Sequence, residues 1–344
     1  MQGRQKRLRD FWLFGFCDRI RPEYLRKEDK MLESLMIGVE VIIPLIVFMG
    51  IGYLFRVTKI AKEQTFRELN KICFKSFLPV MVFYNIYQSD LKEDFEPKVL
   101  VYAIISIFVI FFAAVLIVNC VWKKSPDRSV IIQGMYRSNF VLFGLAVTRT
   151  LCGSDNMGMA SILVAIIVPI YNVLAVLLFT FYGTGKKSAG SVILGIIKNP
   201  LIIASVLGIV INLVGLELPE LVVDIVDTMS TAATPLALLC LGGTFAFGQI
   251  RTYKKELITV CLTRLILVPL IFMGIAVLLG IRGSSLAAFL AMYGSPVAIS
   301  SYTMAGEMGG NHELAGAIVV CTSVFSVLTM FMWVVLLDFF GLIA

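Results

Sequence analysis

Apolar residues in this chain gather in long blocks between short polar runs. Each block approaches the ~20 residues that a helix needs to cross a bilayer. Ten blocks can be traced, at 36–55, 68–88, 99–121, 130–148, 156–182, 191–214, 221–247, 257–279, 284–304 and 314–341. The pattern predicts an all-α integral membrane protein with ten transmembrane helices, called below the first to the tenth span.

A second pattern runs through the first. "MYRS" at 135–138 returns as "MYGS" at 292–295, 157 residues later. "PLIVFMGIG" begins at Pro44 and "PLIIASVLG" at Pro200, and glycine follows eight places on in each, as Gly52 and Gly208. Pro79 of the second span and Pro235 of the seventh are again 156 apart. The chain thus reads as a basic N-terminal extension (1–35), a first five-helix repeat (36–182), a short cytoplasmic loop (183–190) and a second five-helix repeat (191–344). Five is odd, so the halves take opposite orientations in the bilayer. Such inverted repeats build secondary transporters, with the substrate near the midplane where the repeats meet.

The "MYRS" and "MYGS" segments occupy the fourth and ninth spans, the same element of each half, and Asn139 in one matches Pro296 in the other. Proline removes a backbone donor and clashes with the preceding turn. Asn, Ser and Gly can serve the backbone groups that a break frees, and such breaks are tolerated at membrane depth only beside protein or a watery cavity. Half-helix N-termini at a break carry partial positive charge. An anion is the natural guest, and a small carboxylate would fit.

Composition adds little to the class but fixes the topology. The chain is 58% hydrophobic and 15% charged, with a net charge of +7. That charge is not a nucleic-acid footprint, because it sits in alternate short loops. Twelve Lys and Arg fall in 56–67, 122–130, 183–190 and 248–256, against four in the intervening loops. By the positive-inside rule both chain ends lie outside the cytoplasmic membrane. Residues 1–35 oppose this with nine Lys and Arg. Two readings stand for them: an interfacial amphipathic piece, or an over-long start, since Met31 and Met36 sit just before the first span.

Enzyme chemistry finds no purchase. Seven cysteines are scattered without a CxxC pair, and His312 is the single histidine, in a short loop. No phosphate loop, nucleophile elbow or zinc pattern is present. No cofactor or metal is expected, and the chain is read as a non-enzyme.

Four stretches carry a family resemblance: "YRSNFVLFGLAV", "IIKNPLIIASVLGIVINL", "AATPLALLCLGGTF" and "SPVAISSYTMAGEMGGNHELAGAIVV". The chain resembles a bacterial member of the auxin efflux carrier family, related to the plant PIN-type carriers, over about residues 36–341. The resemblance implies a ten-helix fold similar to bile-acid and sodium/proton transporters, with interrupted fourth and ninth helices crossing at the substrate site. It implies substrates such as malate, malonate or lactate. It also marks Asn139, Ser295 and Pro296 as crossover residues. One departure stands out: the family has proline in the Gly-Leu-Pro after the Asn, whereas here the sequence is Gly144-Leu145-Ala146. That leaves the position of the fourth-helix break open.

The expected substrate-binding residues are Asn139, Ser138, Arg137, Ser295, Pro296, Ser300 and Ser301. Ser138 and Asn139 either meet substrate or hydrogen-bond a neighbouring helix, as polar residues in membrane bundles do. Ser295, Ser300 and Ser301 are either site or small packing residues. Arg137 either snorkels to the cytoplasmic interface or pairs an entering carboxylate. Arg264 is read as an interface anchor, Asn172 as packing or satisfying a kink at Pro169 with a binding role as its alternative, and Glu40 and Glu307 as solvated helix ends. Neither crossover segment, 137–150 or 290–305, holds Asp or Glu. A cation carrier would need such groups. The sequence therefore points to a permease for a small organic anion, in contact with lipid and with a homodimer as one open assembly. A same-fold carrier of a neutral solute or cation, and a non-transporting sensor, are the alternatives.

Overall fold

The computed structural model describes residues 43–89, 96–141, 145–152, 158–182 and 197–343. The extension 1–35, Glu40, loop residues 90–95 and the loop 183–190 lie outside the described residues. Among the described residues the chain is helical and no strand forms. Helices Pro97–Val121, Gly158–Tyr182, Glu220–Thr244, Lys254–Leu278 and His312–Phe339 are each long and apolar enough to cross a membrane, and they occupy the third, fifth, seventh, eighth and tenth spans. Shorter apolar helices at Ile43–Val57 and Pro200–Val214 fill the first and sixth. The second span runs as helix from Glu63 to Tyr87. Two spans are interrupted: the fourth comprises Arg128–Tyr136 and Leu145–Cys152, and the ninth Gly283–Gly294 and Ser300–Glu307.

The repeat seen in the sequence becomes matched packing. A Cβ on Gly52 would sit 2.1 Å from Leu239 O, so only glycine lets the first span lie backbone to backbone on the seventh. A Cβ on Gly208 would meet Ile86 Cβ at 3.0 Å, where the sixth span crosses the second. Arg56 of the first span donates to Phe245 O at the end of the seventh, 2.8 Å away. In the same relative place, Asn212 Nδ2 of the sixth span donates to Ile86, Tyr87 and Ser89 carbonyls at the end of the second. Each pair therefore closes the carbonyl end of a long helix in the other half, which would otherwise leave unsatisfied acceptors.

Two π-helical turns, Cys73–Phe77 and Thr263–Leu267, each precede a proline, Pro79 and Pro269. Proline lacks an N–H and its ring crowds the carbonyl four residues back, so the preceding turn widens. Leu265 O, the carbonyl that Pro269 leaves free, accepts instead from Trp333 Nε1 at 2.9 Å. The widened turn also aims Arg264 into the protein, where it is wholly buried.

Apolar side chains such as Phe112, Leu116, Leu213, Leu278 and Leu328 stand exposed on the outer faces of the bundle. In water, so much exposed apolar surface would be a liability; against lipid tails it is the expected surface. The fourth, fifth and ninth spans carry nearly half of the buried residues among those described.

Candidate functional site

Where the fourth and ninth spans break, their backbones become extended and pair. Arg137 and Ser295, the residues after the two half-helices, have extended dihedrals. Ser138 and Val297 form an isolated antiparallel bridge, and Asn139 N donates to Pro296 O at 2.7 Å. The aligned residues Asn139 and Pro296 thus meet in space, which is the crossing expected of this fold. Val297 N donates to Thr322 Oγ1 of the tenth span at 3.2 Å. At membrane depth each of these groups needs such a partner.

Arg264 supplies the rest. Its Nη2 donates to Met292 O at 2.6 Å, its Nε to Ser295 O at 3.0 Å, and its Nη1 reaches Tyr136 O at 3.5 Å. Tyr136 ends the first half-helix of the fourth span, and Met292 lies in the last turn of its ninth-span counterpart. The interface-anchor reading of Arg264 is therefore overturned. Full burial rules out snorkelling, and its donors are spent on carbonyls at the heart of the crossing.

Arg137 does not snorkel either. It is 4% exposed and turns inward, with Nη2 donating to Asn172 Oδ1 at 2.8 Å and to Ser300 Oγ at 2.9 Å. Its Nη1 lies 2.7 Å from Met304 Sδ. No carboxylate among the described residues pairs with it. Asn172 Oδ1 accepts from the guanidinium, which puts Asn172 beside Arg137 on the cavity wall. Asn172 Nδ2 and Asn139 Nδ2 are buried and lack hydrogen-bond partners among the described residues, and Ser138 Oγ has only the Tyr171 hydroxyl near it, without a well-formed hydrogen bond.

These groups line one cavity of about 50 Å³, with Tyr171, Asn85, Thr234 and apolar residues of the second, fifth, sixth and seventh spans. A wider cavity of about 420 Å³ adjoins it and shares Met81, Asn85, Val141 and Thr234. Pro44, Leu45, Phe48, Pro235 and Leu238 make this second space largely apolar. Of the expected residues, Arg137, Ser138, Asn139 and Ser300 come together on the cavity. Ser295, Pro296 and Ser301 do not line it. Ser295 Oγ donates back to Ala291 O and closes its own half-helix. Pro296 contributes a carbonyl to the bridge, and Ser301 is buried behind it. Asn85 and Thr234 carry no sequence signal beyond being polar in apolar spans. Among the described residues no group of three His, Cys, Asp or Glu could hold a metal.

Apolar helices around two broken, crossing spans, with a polar cavity at the crossing, define a multi-pass membrane transporter of the secondary type. A family model described as membrane transport protein matches residues 37–334, and the chain belongs to that family, the auxin efflux carrier family. Two curated relatives span nearly their whole length on it. An uncharacterized transporter of Methanothermobacter thermautotrophicus is 24% identical over 311 residues, covering 87% of this chain and 98% of the relative. One from Methanocaldococcus jannaschii is 22% identical over 308 residues, with the same coverages of 87% and 98%. Among solved structures, the sodium proton antiporter MjNhaP1 from Methanocaldococcus jannaschii aligns with a TM-score of 0.50 at 12% identity. The alignment covers 91% of this chain and all of that one. At that identity the likeness is one of fold.

Proposed function

We propose that this chain carries a small organic anion, a monocarboxylate, across the cytoplasmic membrane by alternating access, and that Arg137 takes the carboxylate. The observation that carries this is a buried guanidinium with no anionic partner among the described residues, beside donors that lack acceptors. A buried charge without a counter-charge is costly, and the arginine fork matches a carboxylate's two oxygens. Asn139 Nδ2 and Asn172 Nδ2 supply further donors on the same wall. The N-terminus of the Ser300–Glu307 half-helix adds partial positive charge beside Ser300. Among the described residues one cation, Arg137, lines the cavity, so one carboxylate is bound. The wider apolar space next to it suits the remainder of the molecule, and this favours lactate-like acids over malate or malonate.

Alternating access requires contacts between the first, second, sixth and seventh spans and the crossing spans to open and close. Thr244 Oγ1 and Tyr302 Oη, 2.6 Å apart, join the seventh span to the second half of the ninth. Asn70 Nδ2 lies 3.4 Å from Thr303 O and 3.5 Å from Glu307 Oε1. By the positive-inside topology these ties close the cytoplasmic side, while the wide cavity leads outward.

Uptake into proteoliposomes tests the reading, with labelled lactate, malate, malonate and indole-3-carboxylate, each with and without a sodium or proton gradient. Saturable uptake of a monocarboxylate, at least tenfold above the dicarboxylates, is the expected result. Saturable uptake of a neutral solute or cation with none of any acid would overturn it, and so would folded protein that moves nothing.

A further inference from the structure

Building on the anion site at Arg137, we propose that Arg264 is the positioning residue of the carrier. In this role it joins the two half-helix ends at the crossing and cancels their partial negative charge, so that the cavity keeps the positive potential of Arg137. The geometry is specific. Helices Arg128–Tyr136 and Gly283–Gly294 both end at the crossing, and each helix C-terminus carries roughly half a negative elementary charge. Left alone, the two ends would oppose an anion bound at Arg137 a residue away. Arg264 meets carbonyls of both, at Met292, Ser295 and Tyr136, and no carboxylate among the described residues pairs with it. One full positive charge against two halves leaves the ends close to neutral.

Where Arg264 stands explains why it can hold this post without touching substrate. It does not line the cavity. It projects from the π turn Thr263–Leu267, whose widening follows from Pro269, and Trp333 Nε1 on Leu265 O fixes that turn from the tenth span. The aligned residue of the first half is Ile107, 157 positions earlier, so one arginine serves both ends. Two arginines thus divide the work: Arg264 answers the backbone and Arg137 is left for the ligand.

Lactate and indole-3-carboxylate uptake in proteoliposomes separates this from a purely architectural role. Arg264→Gln is expected to raise KM for the transported acid about tenfold, the scale of two uncompensated helix ends, with maximal rate falling less than threefold. Arg264→Lys keeps the charge and is expected to stay within about threefold of wild-type KM. A fall in maximal rate with KM unchanged would make Arg264 a mere strut and sink the proposal. Where the Gln variant does not fold, the Lys variant decides: a KM raised tenfold or more at wild-type thermal stability overturns charge compensation. Arg137→Gln distinguishes the two readings. Wild-type uptake in that variant ends the anion site itself, whereas loss in Arg137→Gln with wild-type kinetics in Arg264→Gln ends only the role given to Arg264.

Discussion

The fourth-span break and the ninth-span break descend from one motif yet are finished differently. In the ninth, the backbone groups freed at the break are answered inside the protein, although Ser301 Oγ and Thr303 Oγ1 of its second half-helix are buried without partners among the described residues. Ser295 Oγ closes its own helix, Arg264 takes Met292 O and Ser295 O, Thr322 takes Val297 N, and Asn139 N takes Pro296 O. In the fourth, Ser138 Oγ and Asn139 Nδ2 are buried and unanswered. The residue between Tyr and Ser tells the same story: Arg137 in "MYRS" against Gly294 in "MYGS". The arginine opens onto the cavity, while a Cβ on Gly294 would fall 2.7 Å from Met330 Sδ. The first half-helix of the ninth span ends in a closed joint, whereas the fourth-span break faces the cavity together with Ser300 from across the crossing. A repeat that supplies symmetry for the motion need not supply two binding sites.

The largest test of that asymmetry is to move the arginine. The double variant Arg137→Gly with Gly294→Arg is expected to lose all measurable uptake, because the new side chain meets Met330 and has no cavity to enter. Its thermal midpoint should fall by several degrees, as overpacking a tight core typically costs 1–3 kcal/mol. Uptake surviving the exchange would mean the two breaks are equivalent.

Next in size is Arg137→Gln alone. A charge-assisted hydrogen bond is worth about 1.5–3 kcal/mol, so uptake efficiency should fall roughly 10- to 150-fold. Thermal stability without substrate should hold or rise, since a buried, uncompensated charge is removed. A clear drop in stability would mark Arg137 as structural.

Asn139→Ala sharpens the picture further. It deletes the unanswered Nδ2 and spares the backbone bond to Pro296 O, so folding should stay near wild type while transport is largely lost. Normal flux in this variant would take the Asn139 side chain out of the site.

The smallest effects should come from a crossed serine pair. Ser138→Ala is expected to lower uptake severalfold with little loss of stability, because its hydroxyl faces the Tyr171 hydroxyl without a well-formed hydrogen bond among the described residues. Ser295→Ala should do the reverse, lowering stability by about 1 kcal/mol through one lost hydrogen bond and leaving KM unchanged. Identical behaviour of the two serines, read by thermal melts and uptake kinetics, would erase the distinction between the breaks.

Much of this was legible in one dimension. Blocks of apolar residues fix helices in a membrane, since no other local structure satisfies its backbone in lipid. The offsets of 156 and 157 residues tie Gly52 to Gly208 and Asn139 to Pro296, and packing obeys both pairings. The pattern also located four of the cavity residues, Arg137, Ser138, Asn139 and Ser300, and the scarcity of carboxylates around them.

Tertiary structure alone decided which way the polar side chains turn. Arg137 and Arg264 look alike in sequence, each an arginine about two turns into an apolar span, and each long enough to reach an interface by snorkelling. The π turn before Pro269 rotates one onto the half-helix carbonyls, and Asn172, brought in from the fifth span, draws the other to the cavity. Helix periodicity sets where a residue lies along its own span. Which neighbour it meets depends on how the spans cross, and that information is spread over contacts between residues far apart in the chain.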